Sequence, residues 1–143
     1  MTAKETKLSK GDKMGKVYAV DFDGTLCRGT HYPSTSGSPN YYLIEFLKEK
    51  RRQGNAVILW TCREGEPLER AIEWCRKYGL EFDYINENTE QNRKRYGNNC
   101  RKIFANYYID DNNLTVNDLT VKAAGLDTTI WQRSLELMCK EME

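Results

Sequence analysis

Taken as a pattern of apolar and polar positions, the chain opens on a polar stretch, residues 1 to 15, with Lys4, Lys7, Lys10 and Lys13 and little to bury. Such a segment predicts a disordered tail ahead of one structured domain over 16 to 143. Val17-Tyr18-Ala19-Val20 is the first apolar run, with the length and composition of a strand buried on both faces. After a loop containing Gly29, Pro33, Gly37, Ser38 and Pro39, the apolar positions Leu43, Ile44, Phe46 and Leu47 recur at helical spacing over Tyr41 to Gln53, and Gly54 ends the pattern. Ala56 to Trp60 reads as a second buried strand. Pro67 suits the first turn of a helix that carries Leu68, Ala71, Ile72 and Cys75 and runs to a cap at Gly79. Phe82 to Ile85 and Tyr107 to Ile109 read as third and fourth strands, while the polar stretch 86 to 99 has no clear period. Two more helices are predicted, Thr115 to Ala124 and Thr129 to Met138, the second burying Ile130, Leu135 and Met138. Trp60, Trp74 and Trp131 fall on apolar-patterned segments and are expected in the core.

Strands that alternate with helices of this length imply βαβ units with right-handed crossovers. The expected fold class is therefore α/β: a three-layer, Rossmann-like parallel sheet with helices on both faces. In such sheets ligands bind at the carboxyl ends of the strands. The unusual polar residues sit there: Asp21 and Asp23 after the first strand, Thr61 and Arg63 after the second, Asp110 and Asp111 after the fourth.

Composition narrows the class without pointing to a partner. The 143 residues suit one domain, and 39% hydrophobic with 30% charged residues is a globular balance. A net charge of +1 removes any global attraction to nucleic acid or to an anionic membrane. No apolar stretch is long enough to span a bilayer, and the Lys-rich start lacks the apolar core of a signal peptide, so a cytoplasmic location is expected. The five cysteines are scattered and odd in number, which predicts reduced thiols.

Carboxylates converging on one rim repel each other unless a cation compensates them. Because the candidate ligands are all oxygens, Mg²⁺ is the expected ion, and Ca²⁺ would need more ligands than the sequence offers. A carboxylate beside such an ion can attack phosphorus, and Asp21 is the candidate. Asp23, two residues on, is the candidate proton donor and acceptor. Thr61, Lys102 and turn amides at Gly24 and Thr25 are candidates to hold the phosphoryl oxygens.

With those residues in view, Asp21-Phe22-Asp23-Gly24-Thr25-Leu26 resembles the first motif of the haloacid dehalogenase-like superfamily. Leu59-Trp60-Thr61 is similar to its second motif, Lys102 to its lone basic third, and Asp110-Asp111 to its acidic fourth, in the same order. The resemblance spans about residues 16 to 113, and is strongest to small bacterial members with Trp-Thr-x-Arg and Ile-Asp-Asp-x-Asn segments, described only as predicted hydrolases. It implies that Asp21 is the nucleophile and Asp23 the acid/base. It also implies that Asp21, the Asp23 main-chain carbonyl and Asp110 hold Mg²⁺, with Asp111 acting through water, and that Thr61 and Lys102 bind the transferring phosphoryl group. Arg101 competes with Lys102 for the basic role. Asp23 argues for phosphoryl transfer over dehalogenation. With about fourteen residues between Leu26 and the first helix, the resemblance implies a capless enzyme. An open site admits a bulky substrate or is closed by a partner subunit, as in a homo-oligomer.

The expected function is thus a Mg²⁺-dependent phosphomonoester phosphatase acting on a small phosphorylated substrate through an aspartyl-phosphate intermediate. One alternative is a catalytically silent relative that binds phosphate or a partner through the same rim. The other is a phosphatase for nucleic-acid ends, motivated by Arg93, Lys94, Arg95, Arg101 and Lys102 with Tyr96 among them, although a solvated helix face explains that run too. Arg63 is placed either to reach a substrate phosphate or to pair on the surface, and His31 and Tyr32 lie in the loop over the site.

Overall fold

Val17–Val20 carries only apolar chains and one tyrosine, and it forms β1, the buried axis of a parallel sheet, with all four residues buried. The computed structural model describes residues 15–29, 32–113 and 128–143. They fall in two compact units, 1–111 and 112–143. The expected tail, apart from Gly15, the expected helix over Thr115 to Ala124 and His31 lie outside the described residues.

Chain order in the first unit is β1, β2 (Cys27–Arg28), β3 (Ser38–Pro39), α1 (Tyr41–Arg52), β4 (Ala56–Leu59), α2 (Gly65–Lys77), β5 (Tyr84–Ile85), α3 (Glu90–Tyr96) and β6 (Tyr107–Ile109). Strands β2 and β3 form a small antiparallel pair. The main sheet has the order β5-β4-β1-β6, every neighbour parallel, with Val20 opposite Leu59 on one side and Ile109 on the other. The chain steps outward from β1 to β4 to β5, then crosses back to β6. That reversal makes the gap between the carboxyl ends of β1 and β6 the topological switch point, where such sheets open a crevice.

Side chains alternate between two cores, as strand geometry requires. Tyr18, Val20, Val57 and Leu59 face one way, joining Ile44 and Leu47 of α1 and Ala71, Trp74 and Cys75 of α2. Val17, Ala19 and Ile58 face the other way and are covered by Ile103 and Ala105. On this second side α3 lines a cavity of about 400 Å³ with Val17, Ala56 and Tyr84. α1 and α2 both pack on the first side, and the α/β class with a parallel sheet is as expected.

Local differences have local causes. Helix α2 begins at Gly65, two residues before Pro67, which is tolerated because first-turn N–H groups have no intrahelical partner. β5 is shorter than Phe82 to Ile85 because the Val57 N–H bonds the buried Asp83 carboxylate at 2.8 Å, which ends the ladder there. α3 fills the unreadable polar stretch: Thr89 caps it by accepting from the Asn92 N–H, and Gly97 closes it at φ 76°. In the second unit, Thr128–Glu141 forms α4, as predicted for 129 to 138. Ile130, Trp131, Leu135 and Met138 are exposed on it, contrary to the expectation that they are buried. Among the described residues no helix is long and apolar enough to cross a membrane.

Candidate active site

The parallel register brings the acids together. β1 and β6 end side by side at Val20 and Ile109, and the Asp21 N–H continues the ladder by donating to the Ile109 carbonyl at 3.0 Å. Asp21 and Asp110 therefore leave adjacent strand ends. Phe22 then turns into the core against Trp74, ring centroids 5.4 Å apart. Its carbonyl accepts from the N–H groups of Thr25, Leu26 and Cys27 at 3.0 to 3.2 Å, winding the chain into a tight loop.

That loop seats Asp111. Gly24 has φ 81°, and a Cβ there would lie 2.4 Å from an Asp111 carboxylate oxygen, so glycine is required both by conformation and by space. The buried Thr25 hydroxyl accepts from the Asp111 N–H at 3.1 Å and lies 3.5 Å from its carboxylate. The outcome is a cluster in which Asp21, Asp110 and Asp111 each present a carboxylate oxygen, all within 4.8 Å of one another. Burial, together with the charges of Asp110, Asp23 and Asp111, pushes the Asp21 carboxyl from its ordinary 3.8 up to about 6, against the lowering effect of the Phe22 N–H. Three hard oxygen donors at this spacing suit a small divalent cation such as Mg²⁺.

Gly24 and Thr25 were expected to offer amides to substrate, and here the loop corrects the expectation. The Gly24 N–H donates to the Cys27 carbonyl at 2.9 Å and the Thr25 N–H to Phe22 at 3.2 Å, so both are spent inside the turn. Their contribution is to place Asp111.

Asp23 stands outside the acid cluster. Its carboxylate receives a two-pronged ion pair from Arg63, Nε to Oδ2 at 2.9 Å and Nη2 to Oδ1 at 2.7 Å. Arg63 is 1% exposed. Its remaining donors reach the carbonyls of Ser34 at 2.7 Å, Pro33 at 3.0 Å and Pro67 at 3.1 Å. A guanidinium has five N–H donors, and all five are used. The expectation that Arg63 reaches a substrate phosphate is corrected on that ground, and so is the alternative of a surface pair. Tyr32, expected in the loop over the site, lies 62% exposed with its ring centroid 5.4 Å from the Arg63 guanidinium.

Thr61 follows β4, half-buried. Its N–H donates to the Asn86 side chain at 2.8 Å, and its hydroxyl accepts from the Arg63 N–H at 3.1 Å, which leaves the hydroxyl proton to be donated elsewhere. Asn86 went unnoticed in the sequence. It takes φ 54°, a conformation asparagine tolerates better than most residues, and its N–H extends the sheet to the Leu59 carbonyl at 2.8 Å. An asparagine at the end of a strand was the available signal. Lys102 is exposed, its ammonium 5.9 Å from the centroid of the Tyr108 ring on β6, two residues before Asp110, and Arg101 is also exposed. In the basic run, Arg93 and Lys94 face Glu87 and Glu90 at 3.8 and 3.7 Å, the pattern of a solvated helix face.

No protein-family model and no curated protein matches the chain. Among solved structures it is similar to the conserved protein coded by a locus from Bacteroides thetaiotaomicron, at 39% identity and a TM-score of 0.59, over 70% of this chain and 78% of that one. At that identity and coverage, the chain belongs to the family of this conserved Bacteroides thetaiotaomicron protein.

Proposed function

We propose that the protein is a Mg²⁺-dependent phosphomonoester phosphatase of the haloacid dehalogenase-like type, capless, and cytoplasmic. The observation that carries this reading is the Asp21 carboxylate, at the switch point of a parallel sheet and within 4.8 Å of the carboxylates of Asp110 and Asp111. Three acids gathered by the fold into one cluster repel each other. They become useful where a cation and a phosphoryl group meet. Asp21, Asp110 and Asp111 would hold Mg²⁺, with the Asp23 carbonyl as a further oxygen. Bound there, the ion supplies positive charge that keeps Asp21 ionised and draws in the phosphoryl oxygens.

The chain's own residues carry the steps. An Asp21 oxygen attacks phosphorus while Asp23 gives a proton to the leaving oxygen, yielding an alcohol and an aspartyl phosphate. Asp23 then takes a proton from water as that water's oxygen attacks phosphorus, releasing phosphate and restoring the Asp21 carboxylate. The Thr61 hydroxyl, already accepting from the Arg63 N–H, donates its proton to a phosphoryl oxygen, and Lys102 adds positive charge. The link between β2 and β3, residues 29 to 37, is short, which supports the capless reading and a substrate whose bulk extends into solvent.

A panel of phosphomonoesters with Mg²⁺, with and without chelator, tests the proposal. Turnover that requires Mg²⁺ is expected. Absence of turnover on every ester in excess Mg²⁺ would contradict it and favour a binding protein.

A further inference from the structure

The buried Arg63 is not among the groups that meet phosphorus, yet it is the most heavily engaged side chain at the rim. Its five donors end on five acceptors from three segments: both oxygens of Asp23, the carbonyls of Pro33 and Ser34, and the carbonyl of Pro67 in the first turn of α2. The Phe22 ring lies 4.8 Å from its guanidinium carbon and the Tyr32 ring 5.4 Å from it. Its backbone N–H meanwhile holds the Thr61 hydroxyl at 3.1 Å.

A planar fork held at every donor is a rigid template. Both oxygens of Asp23 lie on it, so the plane and reach of that carboxylate follow from the guanidinium and not from the Asp23 side-chain torsions. Arg63 is itself set by α2 and by residues 33 and 34. We propose that Arg63 is a positioning residue: it aims the Asp23 carboxyl at the leaving-group oxygen, and it ties that aim to the Pro33 and Ser34 backbone and the overlying Tyr32 ring. This rests on the phosphatase reading above. Proton delivery demands hydrogen-bond reach in the reacting pose, so a carboxyl that swings freely loses its effect even when Asp21 is intact.

The consequence is selective. As Asp21 bonds to phosphorus and the ester P–O bond breaks, an alkoxide needs the Asp23 proton, whereas a nitrophenolate leaves without one. Arg63→Lys keeps the charge and loses the fork. Relative to wild type, kcat/KM, which reports formation of the aspartyl phosphate and not its hydrolysis, should drop about 100-fold for an alkyl phosphate and less than about 10-fold for p-nitrophenyl phosphate. Asp23→Asn should give the same ratio, and the double variant should be no slower than Asp23→Asn alone. Equal losses on both esters, or multiplicative losses in the double variant, would reduce Arg63 to a structural staple and overturn the proposal. Should Arg63→Lys show no cooperative melting, Tyr32→Ala removes only an exposed ring from the guanidinium. It should produce the same selectivity at about 3-fold, and equal rates on both esters relative to wild type would overturn the proposal. A wild type inert on both esters would instead contradict the phosphatase reading itself.

Discussion

Asp21 and Asp23 leave the same strand end two residues apart, and the fold treats their charges in opposite ways. Asp21 is set among Asp110, Asp23 and Asp111, half-buried, with its carboxyl pushed up to about 6. Asp23 is met by both prongs of an arginine that is 1% exposed. One corner is balanced from within the chain, and the other gathers like charge. Gathering like charge costs stability. Under the proposed function the first corner would keep a fixed geometry and the second would take the cation.

The largest effect is expected at the corner formed by Asp21, Asp110 and Asp111. Asp110→Asn removes one of three clustered carboxylates, and turnover at fixed Mg²⁺ should drop at least about 100-fold, with part of the loss recovered at high Mg²⁺. A Mg²⁺ titration checks this, and an unchanged Mg²⁺ requirement would remove Asp110 from the site. A smaller effect is expected at Gly24, whose φ of 81° and closeness to Asp111 leave no room for a Cβ. Gly24→Ala should lower stability by about 1–2 kcal/mol in denaturant melts and weaken the response to Mg²⁺ by displacing Asp111.

The smallest effect sharpens the charge argument. Because the folded-state value of Asp21 is raised above its ordinary 3.8, its contribution to stability is fully present below that value and is lost as pH rises through about 6. Without divalent cation, Asp21→Asn should therefore melt at nearly the wild-type temperature near pH 4. It should pull ahead as pH rises toward 6 and hold a constant lead above it. A lead that is independent of pH would mean that Asp21 is not under charge strain.

The parts of this arrangement that were legible in the sequence are those written in side-chain pattern. β1, β4 and β6 are short apolar runs between polar residues, and α1 and α2 repeat their apolar positions at helical spacing. Acids directly after two such strands identified Asp21, Asp23, Asp110 and Asp111. α3 escaped because its buried residue is Asn92 and the rest of its surface is charged or polar. β2 and β3 are two residues each, too short to carry a period. The role of Arg63 was illegible for a different reason. Three of its acceptors are backbone carbonyls, which every residue possesses, and only the tertiary fold brings Pro33, Ser34 and Pro67 to one guanidinium. Likewise the glycine at position 24 looked like a phosphate-loop residue, and the contact that demands it comes from Asp111, 87 residues later.

The central claim is that Asp21 carries the phosphoryl group. It is tested most directly by acid-quenching the protein during turnover of a phosphate-labelled aryl ester in Mg²⁺ and mapping the label to a peptide. The account predicts label on the peptide containing Asp21, released by mild base, and absent from a folded Asp21→Asn protein that no longer turns over. Steady turnover by Asp21→Asn, or label fixed on a different residue, would contradict it.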